Sequence, residues 1–445
     1  MQHDKEKLAL AIVERLRSAG FAAYLAGGCV RDRILGLKAK DYDVATDARP
    51  NTVASLFENT VSLGAKFGVM VVVLEGEQFE VATFRADADY VDGRRPSAVR
   101  FGTLEEDAKR RDFTIGGMYL DPQTGRVIDL VGGMRDLRAG VIRAIGDPDL
   151  RFAEDHLRML RAIRFAARLN FSIDPFTWSA IQRNAGKIGQ IAAERIGEEL
   201  TMMMTEGGAA EGLDLLVDSG LASVILPEVL PLRGCPQPVN YHPEGDVYRH
   251  TRLMLSMLPQ GCAETLAFGA LFHDIAKPQT LRIEADGKMT YYGHTEIGAR
   301  VAAEALQRLR RPRAVQARVA YLVHNHLRMM MAPRMRRSTL KRMLAEEGFS
   351  ELLELSLLDT LAAGSALGFY HFCRRAMATM GAAEIHPPRL ITGDDLIALG
   401  FEPSPRFKKI LREIEDHHLD GTLKTREEAL HYVRMHYTPE QPAES

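Results

Sequence analysis

All of the strand-like sequence in this chain lies before Asp147-Pro148. That one-sided distribution confines a sheet to the N-terminal part and leaves the remainder to pack as helices. Val69–Leu74 and Phe79–Phe84 are β-branched and aromatic, are joined through Glu75-Gly76-Glu77-Gln78, and read as a hairpin. The apolar runs Tyr24–Ala26 and Val127–Leu130 would add strands beside it. Past the Asp-Pro step, Arg151–Leu169 reads as one helix and Ala209–Leu221 as another that ends near Gly220. A Pro-rich interval, Pro227 through Pro243, precedes a His-bearing helical region, and a tail starts near Glu384 with His386-Pro387-Pro388. The polar end Thr438–Ser445 is expected to fray. The reading is a multidomain chain: an α/β head with a small sheet (1–146), an all-α neck (147–232), a His-bearing domain (233–383) and a helical tail (384–445).

Composition excludes several classes. With 445 residues, 46% hydrophobic and 26% charged, the chain has ample material for buried cores, so wholesale disorder is ruled out. The longest run without a charged residue is Thr360–Cys373, 14 residues, short of the roughly 18 a membrane span needs. The N-terminus is amphipathic and charged and lacks the apolar core of a signal peptide, so a cytoplasmic protein with no membrane partner is expected. Cys29, Cys235, Cys262 and Cys373 are scattered without a CxxC pair, which argues against a zinc ribbon or a disulfide scaffold. The net charge of −2 says nothing about nucleic acid, but Ala305 to Ala345 carries eleven Arg or Lys and no acid. Such a run is either a solvated helix face or a surface that tracks a polyanion.

Residues 24–43 read YLAGGCVRDRILGLKAKDYD, a short strand entering Gly27-Gly28 and then a helix-like stretch. Two glycines let backbone approach a bulky ligand closely, and a following helix offers free N–H groups to an anion. Asp41 and Asp43 come thirteen residues after Gly28. In a strand, i and i+2 share a face, and two carboxylates so placed repel unless a cation lies between them. Oxygen-only ligation suits Mg2+. The plain alternative is an ordinary turn followed by an exposed acidic loop.

In EDHLRMLRAIRF, Asp155, Arg158, Arg161 and Arg164 follow one another at intervals of three, an acid-then-Arg ridge along one helix side. Taken alone this could be an intrahelical ion pair with solvated arginines, worth about a few tenths of a kcal/mol. Further on, His250, His273-Asp274, His294, His324, His326 and Asp359 occur in the order H…HD…H…H…D. A single helical histidine is usually a core or cap residue; a series of imidazoles and carboxylates suits a divalent transition metal or Mg2+, and a mixed set could hold two ions.

GGCVRD followed by DYD resembles the signature of the class II tRNA nucleotidyltransferase and poly(A) polymerase family, within the polymerase-β-like superfamily. FEVATFRADADYVDGRRP, EEDAKRRDFTIGGMYLDP, EDHLRMLRAIRFAARLNF and the tail segment beginning ITGDDLIALGF extend the resemblance over nearly the whole chain. It implies that Gly28 and Arg31 contact a triphosphate, that Asp41 and Asp43 hold Mg2+ and carry catalysis, and that Arg111 faces the nucleotide. A third carboxylate would come from Glu80. The family's usual Asn after RRDFTI is Gly116 here, so no role passes to that position. Arg158, Arg161 and Arg164 would line the nucleotide site, with Asp155 and Arg158 as a protein template. Asp155 would accept from an exocyclic amine and Arg158 would donate to the adjacent ring nitrogen, an edge that cytosine and adenine share. Uracil and guanine reverse both groups, and sites of this kind discriminate by about 10⁴-fold.

The histidine series resembles the HD phosphohydrolase superfamily, whose minimal metal set would map to His250, His273, Asp274 and Asp359. His294 and His326 would be the added ligands of a two-metal site, in preference to His324. The ion would be a divalent metal such as Ni2+, Mn2+ or Co2+. Together the resemblances imply an enzyme that adds C and A to tRNA 3′ ends from CTP and ATP, with a second, hydrolase activity on 2′,3′-cyclic phosphates or phosphomonoesters. The alternatives are a poly(A) polymerase, an enzyme adding only CC or only A, a phosphohydrolase with a vestigial head, and a non-catalytic RNA-binding protein. Oligomeric state is not readable from the sequence.

Overall fold

The computed structural model describes residues 4–64, 68–87, 99–240, 242–385 and 387–438. The second half of FEVATFRADADYVDGRRP, His386 and the polar end past Thr438 lie outside the described residues. The chain forms two compact units. The first holds Met1–Leu230 with the later segments Leu258–Glu264 and Ala305–Arg311; the second holds Pro231–Met257, Thr265–Glu304 and Pro312–Ser445.

The first unit is built on a seven-stranded mixed sheet. Its strands are β1 (Ala23–Ala26), β2 (Asp43–Thr46), β3 (Thr60–Gly64), β4 (Val69–Leu74), β5 (Glu77–Thr83), β8 (Met118–Leu120) and β9 (Val127–Asp129), while β6 (Arg85–Asp87) and β7 (Val99–Phe101) pair separately. The order is β3-β4-β5-β2-β1-β8-β9, and only β2 and β5 run parallel. The expected hairpin forms with a tighter turn than the sequence suggested. Leu74 pairs with Glu77, so Glu75 and Gly76 alone make the loop, both at positive φ (51° and 82°). That conformation matches the right-handed twist of the flanking strands. Ala26, Ala45, Phe84, Ala108 and Tyr119 form a buried cluster against the sheet.

Helices follow the sheet, with one correction. The helix expected at Arg151–Leu169 is two, Pro148–Glu154 and Leu157–Leu169. Asp155 between them is extended (φ −151°, ψ 106°), and its carboxylate accepts from the Leu157 N–H at 3.1 Å. A short acid that bonds its own downstream backbone competes with helix continuation and starts a new helix instead. The helix Ala209–Asp218 lies so close to Leu157–Leu169 that a Cβ on Gly208 would strike the Ala167 carbonyl. The later segments belong to this unit through specific bonds. Gly261 N–H donates to the Thr205 carbonyl at 2.7 Å, and Arg311 pairs with Glu264 at 2.7 Å.

The second unit is helical apart from the two-residue strands Arg282–Ile283 and Met289–Thr290. Its helices include Val247–Ser256, Arg313–Asn325 and Phe349–Ala362, with all but Glu264 of Glu264–Phe272 and all but the last four residues of His294–Arg308. The tail has its own core of Ile391, Leu396, Phe401, Ile410, Ile414, Ala429 and Val433. Among the described residues no helix is long and apolar enough to cross a membrane.

Candidate active sites

In the first unit, the end of β1 delivers the chain into Gly27. Its φ is 73°, which strains any other residue, and a Cβ there would stand 3.0 Å from Arg111 Nη1 and press the guanidinium aside by a few tenths of an ångström. Gly28 opens the helix Gly28–Ile34 that carries Arg31. Asp43 is the first residue of β2, opposite Ala26, but Asp41 precedes the strand. The same-face strand geometry expected for the pair is therefore replaced by a loop residue beside a strand residue. Both still line one cavity of about 560 Å³ with Gly28, Glu80 and Arg111. The parallel register Val44↔Val81 puts Glu80 beside Asp43 on the neighbouring strand. Burial first, and then the Glu80 carboxylate, push the Asp43 carboxyl up to about 6, with Arg111 opposing. Like-charged groups held so close fit a divalent cation, which would relieve the repulsion.

The other wall of this cavity is the helix Leu157–Leu169, which contributes Arg158, Arg161 and Arg164. Their charges are met by a ladder of acids. Asp112 accepts from Arg158 Nε at 2.6 Å and from Arg161 Nε at 2.7 Å. Glu199 accepts from Arg161 Nη1 at 3.1 Å and Arg164 Nε at 2.6 Å. Glu206 stands 3.7 and 3.6 Å from Arg164 and Arg168. Asp32 accepts from Arg168 at 3.4 Å and holds Arg31 at 2.7 Å. Burial disfavours the Asp112 anion, yet Arg161 and Arg158 outweigh it and hold the carboxyl at about 2. Arg158 at one end is thus joined to Arg31 at the other through alternating charge.

Asp155 does not line the cavity. It lies outside the Arg ridge because the helix restarts after it, and Arg195 takes its carboxylate at 2.6 and 3.3 Å. Arg158 is likewise engaged, by Asp112 and by Glu154. The expected acid–Arg pair is therefore not preformed. Asp112 and Glu199, the acids that aim the ridge, were missed in the sequence. Glu199 in ERIGEEL has the helical spacing of any surface acid, and only its 4% exposure sets it apart.

In the second unit, His250, His273, Asp274, His294, His326 and Asp359 converge. His324 is exposed, whereas His326 is 2% exposed. The Nδ1 atoms of His273, His294 and His326 lie 2.9, 2.7 and 2.7 Å from the carbonyls of Ala270, Tyr291 and Val323. Donation there fixes each tautomer with the Nε2 lone pair inward, the arrangement of metal-ligating histidines. The Nε2 atoms of His273 and His294 and the Oδ1 of Asp274 are buried without a hydrogen-bond partner. Leaving such groups unmade costs about 1–3 kcal/mol each, a penalty that a cation among them would remove. Asp274 Oδ1 lies 3.5 Å from His294 Nε2 and 3.7 Å from His326 Nε2, and its Oδ2 lies 3.0 Å from His273 Nε2. Asp274 belongs to two potential ligand groups, one with His250 and His273 and one with His294 and His326. Asp359 Oδ1 is 3.0 Å from His250 Nε2. Burial lowers His326 to about 4, so its imidazole is neutral and free to ligate at neutral pH. The donor set fits one or two divalent ions.

Three residues of this centre were also missed. Lys277, in FHDIAKP, is 7% exposed and pairs with Asp274 Oδ2 at 2.6 Å. Gln237 comes from the Pro-rich interval expected to be only a separator, and Glu244 directly follows it. Gln237 Oε1 accepts from Lys277 Nζ at 2.6 Å, and Glu244 Oε1 stands 2.6 Å from His250 Nδ1. The acid-free run of Ala305–Ala345 is largely neutralised. In the first unit Arg308 and Arg311 pair with Glu228 and Glu264. In the second, Arg318, Arg328, Arg336, Arg337 and Arg342 pair with Glu347, Glu346, Asp420, Glu384 and Glu415. Most of it is therefore not the open cationic track its composition suggested.

Comparison with known proteins supplies context for both sites. The family model described as the poly A polymerase head domain matches residues 23–143, that of a probable RNA- and SrmB-binding site of polymerase A matches 170–232, and that of the HD domain matches 246–364. The CCA-adding enzyme of Levilactobacillus brevis is 32% identical over 435 residues, 97% of this chain and 98% of that one. The CCA-adding enzyme of Ligilactobacillus salivarius is 43% identical over 219 residues, so that match spans about half of each chain (49% and 54%). A crystal structure of the Bacillus stearothermophilus CCA-adding enzyme in complex with CTP superposes with a TM-score of 0.68 at 27% identity, covering 98% of both chains.

Proposed function

Since the chain belongs to the CCA-adding enzyme family, we propose that it completes the 3′ end of tRNA by adding C and A from CTP and ATP without a nucleic-acid template. The observation that carries this reading is the single cavity in which Asp41, Asp43 and Glu80 face Arg111 and the ridge Arg158, Arg161 and Arg164. Divalent metals serve nucleotidyltransferase and HD domains in general; in the head the carboxylates would hold Mg2+, which activates the RNA 3′-hydroxyl and steadies charge on the leaving pyrophosphate. Gly28 and Arg31 would take the triphosphate, and Arg111 would orient it against the carboxylates. Asp155 and Arg158 would read the base once Asp155 leaves Arg195 and Arg158 turns from Asp112 and Glu154. The working division is a nucleotidyltransferase head (1–146), a neck that carries base reading (147–232), an HD domain (233–383) and a tail (384–445), acting in the cytoplasm.

The test is direct. A tRNA lacking its 3′ terminus is incubated with each labelled NTP and with CTP plus ATP, and the product ends are sequenced. CCA ends are expected. Homopolymeric A tails would make the chain a poly(A) polymerase, and CC or A alone would make it a partial enzyme.

A second activity is favoured by the unpartnered Asp274 Oδ1 and histidine nitrogens of the second unit. There the chain would hydrolyse 2′,3′-cyclic phosphates or phosphomonoesters with a divalent transition ion, Ni2+, Mn2+ or Co2+ suiting imidazole ligation. His250, His273, Asp274 and Asp359 would hold one ion, and His294 and His326, sharing Asp274, a second.

A further inference from the structure

The Pro-rich interval is built into the HD centre. Its backbone is pinned at both ends: Val247 N–H donates to the Cys235 carbonyl at 3.0 Å, Gln237 N–H to Gly245 at 3.1 Å, and Gly245 N–H to His242 at 2.8 Å. Asp246 adds two side-chain bonds, accepting from Gly234 N–H at 2.7 Å and from Arg249 N–H at 3.1 Å. Glu244, inside this pinned loop, presents Oε1 to His250 Nδ1 at 2.6 Å and to His242 Nδ1 at 3.0 Å. Its Oε2 is buried without a hydrogen-bond partner. The other face of the fully buried His250 ring, Nε2, looks toward Asp359.

From this geometry we infer that Glu244 is a positioning residue of the HD centre, which accepts a hydrogen bond from the Nδ1–H of His250 and so commits Nε2 as the ligand atom. The inference rests on the reading of that centre as a metal phosphohydrolase. His273, His294 and His326 donate Nδ1–H to carbonyls of their own helices or helix ends; His250 alone of the ligating imidazoles uses a carboxylate from another segment. A carboxylate there does two things that a carbonyl does less well. It raises the basicity of the ligating nitrogen, and it fixes the ring plane from outside the helix. Without it, the imidazole is free to take the other tautomer and present Nε2–H to the ion. Glu244, His242 and His250 also form a potential ligand group of their own; on this inference Glu244 acts through His250 rather than as a ligand.

The test uses the full chain carrying Asp41→Ala and Asp43→Ala, so that bound ions report the HD centre. Mn2+ affinity is measured by competition with a chromophoric chelator, and stoichiometry by elemental analysis at saturation. Glu244→Ala is expected to weaken the affinity by about 10–100-fold with the saturating stoichiometry retained. Glu244→Gln, whose carbonyl still accepts the same proton, should recover part of that loss. Proton NMR of the metal-free chain gives a readout independent of the metal: the downfield Nδ1–H resonance of His250 should persist in Glu244→Gln and vanish in Glu244→Ala. Unchanged affinity in Glu244→Ala would overturn the inference. So would loss of an ion at saturation in both variants, because Glu244 would then be a ligand. If Glu244→Ala does not fold, an Mn2+ affinity for Glu244→Gln equal to that of the parent, with an unshifted His250 resonance, overturns it equally. Absence of any tight ion with Glu244 in place would instead fell the hydrolase reading, and this inference with it.

Discussion

Arg195 grips both carboxylate oxygens of Asp155, at 2.6 and 3.3 Å. The acid expected to meet a nucleobase is therefore already occupied, and the proposed base reading would have to begin with an exchange of partners. Asp155→Ala should raise UTP and GTP incorporation relative to CTP and ATP while lowering all four. Arg195→Ala, which frees the same carboxylate without deleting it, should shift selectivity less than Asp155→Ala does. The comparison is of kcat/KM ratios across the nucleotides. Fixed ratios in Asp155→Ala alongside reduced activity would reduce Asp155 to a helix start.

Asp41→Ala and Asp43→Ala should each reduce nucleotide addition by orders of magnitude with an unaltered circular-dichroism spectrum. Single-turnover rates at saturating Mg2+ and nucleotide are the measurement. Near-normal rates in both would remove the metal role from these carboxylates.

Asp43 also makes a pH prediction. Its folded carboxyl sits at about 6, above the ordinary 3.8, because of burial and Glu80. A carboxyl raised on folding retains its proton where the unfolded chain has lost it, so its contribution to stability is greatest below pH 4 and falls as pH rises to about 6. In metal-free buffer, Asp43→Asn should gain on the parent across that window, by on the order of 1–2 kcal/mol. Saturating Mg2+ should stabilise the parent more than Asp43→Asn. Paired thermal melts at stepped pH would reveal it, and parallel curves would refute it.

For the HD centre, His273→Ala with Asp274→Ala deletes the one group shared by both potential ion sites and a second group of one of them. Hydrolysis of a 2′,3′-cyclic nucleotide should fall to background with Mn2+, Co2+, Ni2+ or Mg2+, while CCA addition stays close to that of the parent. Hydrolysis that survives the double substitution would place the chemistry elsewhere.

How much of this was readable in advance follows the physics of each feature. The hairpin β4–β5 was legible because β-branched alternation is local, yet its turn was placed too wide because positive φ at Glu75 leaves no mark in the residue type. The histidine series could be read from order alone, since few residues other than ligands recur in that pattern. The break at Asp155 could not, because the apolar spacing runs through it and only the long-range bond to Arg195 shows the side chain's direction. Glu199, Gln237 and Glu244 stayed hidden for the same reason: their partners lie 35 and 38, 40, and 6 residues away, and burial rather than identity distinguishes them.

The two returns of the chain to the first unit bear on how such a protein is made. Leu258–Glu264 and Ala305–Arg311 complete that unit only after Pro231–Met257 and then Thr265–Glu304 of the second have been made. A ribosome working from the N-terminus therefore cannot release a finished first unit before Arg311 has emerged, and most of the clustered histidines of the second unit emerge earlier. A shuffled gene that exchanges the second unit for another must bring back those two short segments with it, or leave Glu228 and the Thr205 carbonyl without these partners.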